Sequence, residues 1–201
     1  MRGVLSSVTR LALVTLFGFA ILGSTAAPAL ATGPAPDKAT AKFEVDFMTN
    51  MIDHHGMAIQ MAQMCVQRAT HQQLRAMCQN IIAAQSAEID QMQAWLQSWY
   101  GVSHEPEMTN GEMQQIERLA SLSSARFELT FMEMLIRHHR KAISEAGRCL
   151  ERAYQPALRG MCQNIIATQS AELAQLETWL CAWYDRCGGR GASASGAAPK
   201  H

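Results

Sequence analysis

The chain has 201 residues, with 17 Lys and Arg balanced by 17 Asp and Glu, and 48% of its residues are apolar. That length supports one ordinary domain or two small ones with a real core. The absence of any basic stripe or aromatic–basic interleaving excludes nucleic acid as a partner.

Residues 1–31 read as a signal peptide. Arg2 and Arg10 precede the apolar run "LALVTLFGFAILG", and Ala29 to Ala31 offer the small residues a signal peptidase recognises, with cleavage expected after Ala31. The alternative is an uncleaved anchor, although the run is short for a span. Membrane contact is expected only through this segment. Its removal leaves 15 basic against 17 acidic residues. Residues 32–42 are expected to form a flexible lead-in.

Residues 43–100 and 127–187 are two copies of one unit. Phe43 to Tyr100 overlays Phe127 to Tyr184 at a constant offset of 84 with no gap, and 31 of the 58 positions are identical, including "MCQNIIA" and "QSAE" in each half. Each copy reads as two helices. Phe43, Phe47, Met51, His54, Ala58, Met61 and Cys65 form one stripe at 100° per residue, and Leu74, Cys78, Ile81, Ile89, Met92, Leu96 and Trp99 form the next. The connection near "RATHQQ" is short, so the two helices are antiparallel neighbours. One hairpin cannot bury its own inner face, and two together predict an all-α four-helix bundle of ferritin-like type. Residues 101–126 are a linker with a short amphipathic helix through Met113, Ile116 and Leu119, and its "GVSHEPEMTN" portion, carrying His104 and Met108, is expected to be an exposed loop, the alternative being a lid that closes over a site. The small, polar residues 188–201 should be disordered.

Six cysteines remain in an exported chain, an even count that suggests disulfides. Cys65 with Cys78, and Cys149 with Cys162, would staple the two hairpins near their turns, leaving Cys181 and Cys187 to close the C-terminal end; the alternative is free buried thiols or metal ligands. If Cys65 and Cys78 are level, antiparallel partners add to 143. Met51 then lies level with Met92, His55 with Glu88, and Phe47 with Leu96. In the second unit His139 meets Glu172, but Leu135 and Leu176 replace the two methionines.

His54 falls mid-stripe, Gln85 does so on the partner helix, and Glu44 lies on the His55 side. Buried groups of this kind must pair with one another or with a ligand. Methionine also fills cores, so thioethers taken singly are ordinary packing. Seven of the twelve methionines of the mature chain, however, lie between residues 48 and 92. Met57 and Met64 are expected to face outward, where packing does not explain them. Thioethers are soft donors for Cu(I), and imidazole suits Cu(I) and Cu(II).

"FEVDFMTNMIDHHGMAIQMA" followed by "IIAAQSAEIDQMQAWL" resembles the domain of unknown function 305 family, whose pattern pairs M-I-x-H-H-x-x-A-I-x-M-A with Q-x-x-E-I-x-x-M-x-x-W-L. The resemblance covers nearly all of the mature chain. It implies a helical bundle outside the cytoplasm, with some relatives linked to periplasmic copper binding and resistance. Glu44, Met48, Met51, His54, His55, Met61, Glu88 and Met92 match in the first unit, and Glu128, Met132, His138, His139 and Glu172 in the second. Leu135, Glu145 and Leu176 depart from the pattern.

The expected function is an exported, periplasmic or secreted protein, not an enzyme, that sequesters copper or hands it on to another exported copper carrier. Cu(I) is favoured, Cu(II) is an alternative, and Ag(I) is the soft analogue. Met51, His54, His55 and Met92 are the first candidate ligands, with Met48, Met57, Met61 and Met64 as a shallower site and His138 and His139 as the second-unit counterpart. Glu44, Gln85, Glu88, Glu128 and Glu172 are the groups expected to orient the imidazoles. A bundle with a structural or partner-binding role and no metal is the competing reading. A ferritin-like di-iron enzyme fits less well, because no Glu-x-x-His triplet occurs.

Overall fold

The computed structural model describes residues 33–187, so the expected signal peptide and the expected disordered tail lie outside the described residues. Helix α1 runs Lys38–Arg68 and α2 runs Gln72–Trp95, closing with a π-helical turn over Leu96–Tyr100. After the linker come α3 (Asn110–Ala120), α4 (Ser124–Arg152) and α5 (Pro156–Tyr184), and every described element is helical. The expected bundle is present: α1 and α2 form one hairpin, α4 and α5 the other, and they meet through α1 and α4.

The local sequence accounts for the helix ends. Asp37 caps α1 by accepting from the Ala39 and Thr40 N–H groups at 3.1 and 2.9 Å. This starts the helix five residues before Phe43 and corrects the expectation of a flexible 32–42 segment. Ala35 is buried with its N–H 3.2 Å from the Tyr100 hydroxyl, and Gly33 O accepts from Gln155 Nε2 at 2.6 Å. Gly101 ends the α2 hairpin arm at φ 64°, the left-handed position that favours glycine. Thr109 and Glu112 form a capping box on α3, and Pro156 opens α5.

Cys65–Cys78, Cys149–Cys162 and Cys181–Cys187 are bridged, with Cα separations of 6.2, 6.3 and 4.2 Å. The register that follows is observed. His55 Nε2 lies 2.8 Å from Glu88 Oε2, and Met51, Met92, Phe47 and Leu96 share one buried cluster. His139 Nε2 likewise lies 2.8 Å from Glu172 Oε2, at an angle too oblique for a hydrogen bond.

The hairpins lock to each other at both ends. Glu44 of α1 accepts at Oε1 from the Tyr154 and Gln155 N–H groups, at 2.7 and 2.8 Å, and at Oε2 from the Tyr100 hydroxyl. Glu128 of α4 reciprocates, accepting from the Thr70 N–H, from the His71 N–H at 2.8 Å, from the His71 ring at 2.7 Å and from the Tyr184 hydroxyl. Each carboxylate therefore satisfies the orphan amides at the start of the other hairpin's second helix. Burial, helped by Glu44, pushes the Tyr100 phenol up to about 12 and keeps it a donor.

The linker is the mostly exposed loop expected of it, and it is anchored to the first hairpin. Gln93 Nε2 donates to His104 O at 2.8 Å, and the Asp53 carboxylate takes both the His104 ring and the Glu107 N–H, at 2.7 and 2.8 Å. Pro106 crosses α1 at Gly56, where a Cβ would come within 2.8 Å of Pro106 Cβ. The segment is a strap, because glycine and aspartate on α1 give it a groove and an anchor.

Candidate metal centre

Adjacent residues on a helix point about 100° apart, so each His-His pair serves two directions. His55 and His139 turn into their own hairpins, toward Glu88 and Glu172. His54 and His138 turn across the hairpin interface, where their rings meet with centroids 3.5 Å apart and planes 32° apart. All four ring nitrogens of this second pair are buried and have no hydrogen-bond partner. Burial, followed by the neighbouring charges of His55, Lys141 and His139, lowers the His54 imidazole to about 3. Burial first, then the nearby histidines, holds His138 well below the ordinary histidine value. Both rings are thus neutral near pH 7, and each keeps a free lone pair that a metal can use.

The thioethers sit beside this pair. A cavity of about 200 Å³ between α1, α3 and α4, open to solvent on one side, is lined by His54, His138, Met57, Met61 and Met134 together with the polar Glu112, Gln115, Arg137 and Lys141. Met57 is only 5% exposed and packs in the core cluster that contains Met134, and Met64 is half-buried against it. The expectation that Met57 and Met64 face outward is therefore corrected: α3 and α4 cover that side of α1. On the other side of His54 lies an open cleft of about 630 Å³ that includes Met51, Met108, Asp53, Glu112, Lys141 and Glu145. The two spaces are related by the repeat. An offset of 84 exchanges His54 with His138, Met57 with Lys141, Met61 with Glu145, and Met134 with Asn50. At these equivalent positions one side carries thioethers and the other an amine, a carboxylate and an amide, while Lys141 borders both spaces and Met51 and Met108 add thioethers to the cleft.

The remaining candidates are placed as follows. Met48, Met51 and Met92 are buried in the cluster under Phe47 and Leu96. Gln85 and Gln169 are buried mid-bundle with Gln85 Oε1 and both Gln169 amide atoms unpartnered. Glu44 and Glu128 stand at the bundle ends with their oxygens engaged by the other hairpin, away from the imidazoles they were expected to orient. Met134 was not singled out in the sequence, because it aligns with Asn50 and so looks like an isolated change. Its position four residues before His138, on the same helical face, was the available signal. Among the described residues no three His, Cys, Asp or Glu side chains group closely enough to hold a metal, so the donors gathered at His54 and His138 are imidazole and thioether.

Fold and site together define a class: a duplicated helical bundle whose central imidazole pair opens onto methionines. The family described as Domain of unknown function (DUF305) matches residues 44–180, and the chain belongs to it. Among solved structures the chain is similar to CopM in its Cu(I)-bound form, at 30% identity and a TM-score of 0.64, covering 70% of this chain and 97% of that one. CopM in an Ag-bound form matches at 31% identity and a TM-score of 0.63 over the same shares, and CopM has a Cu(II)-bound form as well. A DUF305 fragment from Deinococcus radiodurans shares the fold at 23% identity and a TM-score of 0.63, covering 75% of this chain and 99% of that one. No curated protein sequence matches the chain.

Proposed function

We propose that this protein is an exported carrier that binds Cu(I), sequestering it or passing it on, and that it performs no catalytic step itself. The observation that carries the reading is the buried, unpartnered His54–His138 pair opening onto Met57, Met61 and Met134. Leaving such nitrogens unpaired costs about 1–3 kcal/mol each, whereas a soft ion would satisfy them. Two neutral imidazoles and neutral thioethers suit Cu(I) and Ag(I), and the imidazoles alone suit Cu(II). The copper- and silver-bound CopM structures support this reading at 30–31% identity. The three disulfides and the N-terminal pattern of Arg2, Arg10 and Ala29 to Ala31 support export, with cleavage after Ala31.

Anaerobic Cu(I) competition titration of the mature protein against a coloured chelator tests the proposal. The parent should compete, and Met57→Leu/Met61→Leu/Met134→Leu should weaken its tightest affinity at least tenfold, roughly 1.4 kcal/mol. A parent no better than a methionine-poor helical bundle sinks the copper reading and leaves a bundle whose histidines serve structure or a protein partner.

A further inference from the structure

We infer that the histidine pair serves two soft-metal stations, and that the linker strap completes the outer one through Met108; the inference rests on the copper reading above. His54 borders both spaces, the inner cavity and the open cleft, and both of its buried ring nitrogens lack a partner. The inner cavity holds Met57, Met61 and Met134 with His138. The cleft holds a separate thioether pair. Met51 lies three residues before His54 on the same face of α1, and Met108 sits half-buried on the strap. The strap is built to keep Met108 there: the residue next to it, Glu107, donates its N–H to Asp53 at 2.8 Å, and Pro106 is seated over Gly56. One imidazole with two thioethers is a three-donor set that suits Cu(I) or Ag(I) and rejects hard cations.

A neutral imidazole offers one lone pair at a time. With one ion bound, His54 can serve either space, so turning its ring moves the ion between cleft and cavity. With two bound, His54 serves the cleft and His138 the cavity. Both spaces reach solvent, and the carboxylates of Asp53 and Glu145 beside the cleft, with Glu112 bordering both spaces, raise the local cation concentration.

Ag(I) titration followed by native mass spectrometry, on the mature protein, tests the assignment. The parent should take up two ions. Met51→Leu/Met108→Leu should take up one, as should Met57→Leu/Met61→Leu/Met134→Leu, while Met161→Leu, a volume-conserving control on α5 that lines neither space, should keep two. Two ions on Met51→Leu/Met108→Leu overturn the inference, as does a parent that binds only one ion. In those cases the copper reading stands. A parent that takes up none removes both.

Discussion

Glu44 and Glu128 occupy equivalent positions in the two repeats, and each caps the second helix of the other hairpin. Neither carboxylate contacts its own hairpin's second helix through these amides, so the two halves of the chain complete each other's helix starts. Arg152 over the Phe43 ring, at 4.1 Å, and Arg68 over the Phe127 ring, at 5.3 Å, repeat the exchange one layer away.

Removing either carboxylate strands buried amides. Glu44→Ala and Glu128→Ala should each lose about 3 kcal/mol of unfolding free energy, the sum of several lost charge-assisted hydrogen bonds and the desolvation left behind. Urea denaturation measures it. A loss under about 1 kcal/mol in both variants would show that the exchange is ornamental.

The Glu128 exchange also sets an acid limit. Burial alone would raise this carboxyl, but the bonds from Tyr184, His71 and Thr70 outweigh it and hold the group at about 2, against an ordinary 4.5. As pH falls, the unfolded chain takes up the proton first, so the stabilisation is intact above pH 4.5 and disappears between there and about 2. Glu128→Ala should flatten the stability profile across that window while leaving the slope above pH 5 unchanged. Denaturant titrations at stepped pH will show it.

Exchanging the linings of the two spaces should exchange their chemistry. Lys141→Met, Glu145→Met and Asn50→Met together give the cleft the thioether set of the inner cavity and should tighten Cu(I) binding there at least tenfold with the ion count unchanged. Met57→Lys with Met61→Glu should abolish the inner station. Chelator competition and native mass spectrometry read both, and unchanged affinity in the first variant would argue that side-chain identity at these positions does not set it.

The histidine pair carries a stability signature of its own. His54→Leu with His138→Leu removes four unpartnered buried nitrogens, so the metal-free variant should unfold at equal or higher denaturant than the parent. Soft-metal binding should fall at least tenfold. A marked destabilisation would mean that the imidazoles are held by ordered water and contribute to the core.

Cys65→Ala with Cys78→Ala opens a loop of 13 residues' separation and should cost about 3 kcal/mol in a loop of this length. The same measurement on Cys149→Ala with Cys162→Ala should give a similar figure, since the loops are equal. Very unequal losses would show that the hairpins are not energetically equivalent.

Much of the architecture was legible because it is periodic. The constant offset gave the repeat, the stripes gave the helices, and the cysteine spacing gave a register in which His55 meets Glu88. What the sequence concealed lies between the repeats. Comparing the copies sets His54 over His138 as equivalents, yet nothing in the comparison says that equivalents touch; that depends on how α1 is rotated against α4. Glu44 was grouped with the histidines by its helical face alone. Eleven residues separate it from His55, roughly 16 Å of helix rise, too far for a hydrogen bond. The strap was hidden for a different reason: its footing is a glycine and an aspartate on the helix face that reads as solvated.

The joining of the two hairpins in one chain has a consequence for their pockets. Were the bundle assembled from two separate copies of a single hairpin, every substitution beside one histidine would appear beside the other as well. A methionine gained on one side could not coexist with a lysine on the other. Here Met57 and Lys141, and Met61 and Glu145, hold equivalent places and differ. Covalent linkage frees the two sides of a symmetric scaffold to specialise, while the reciprocal glutamates keep the scaffold itself symmetric.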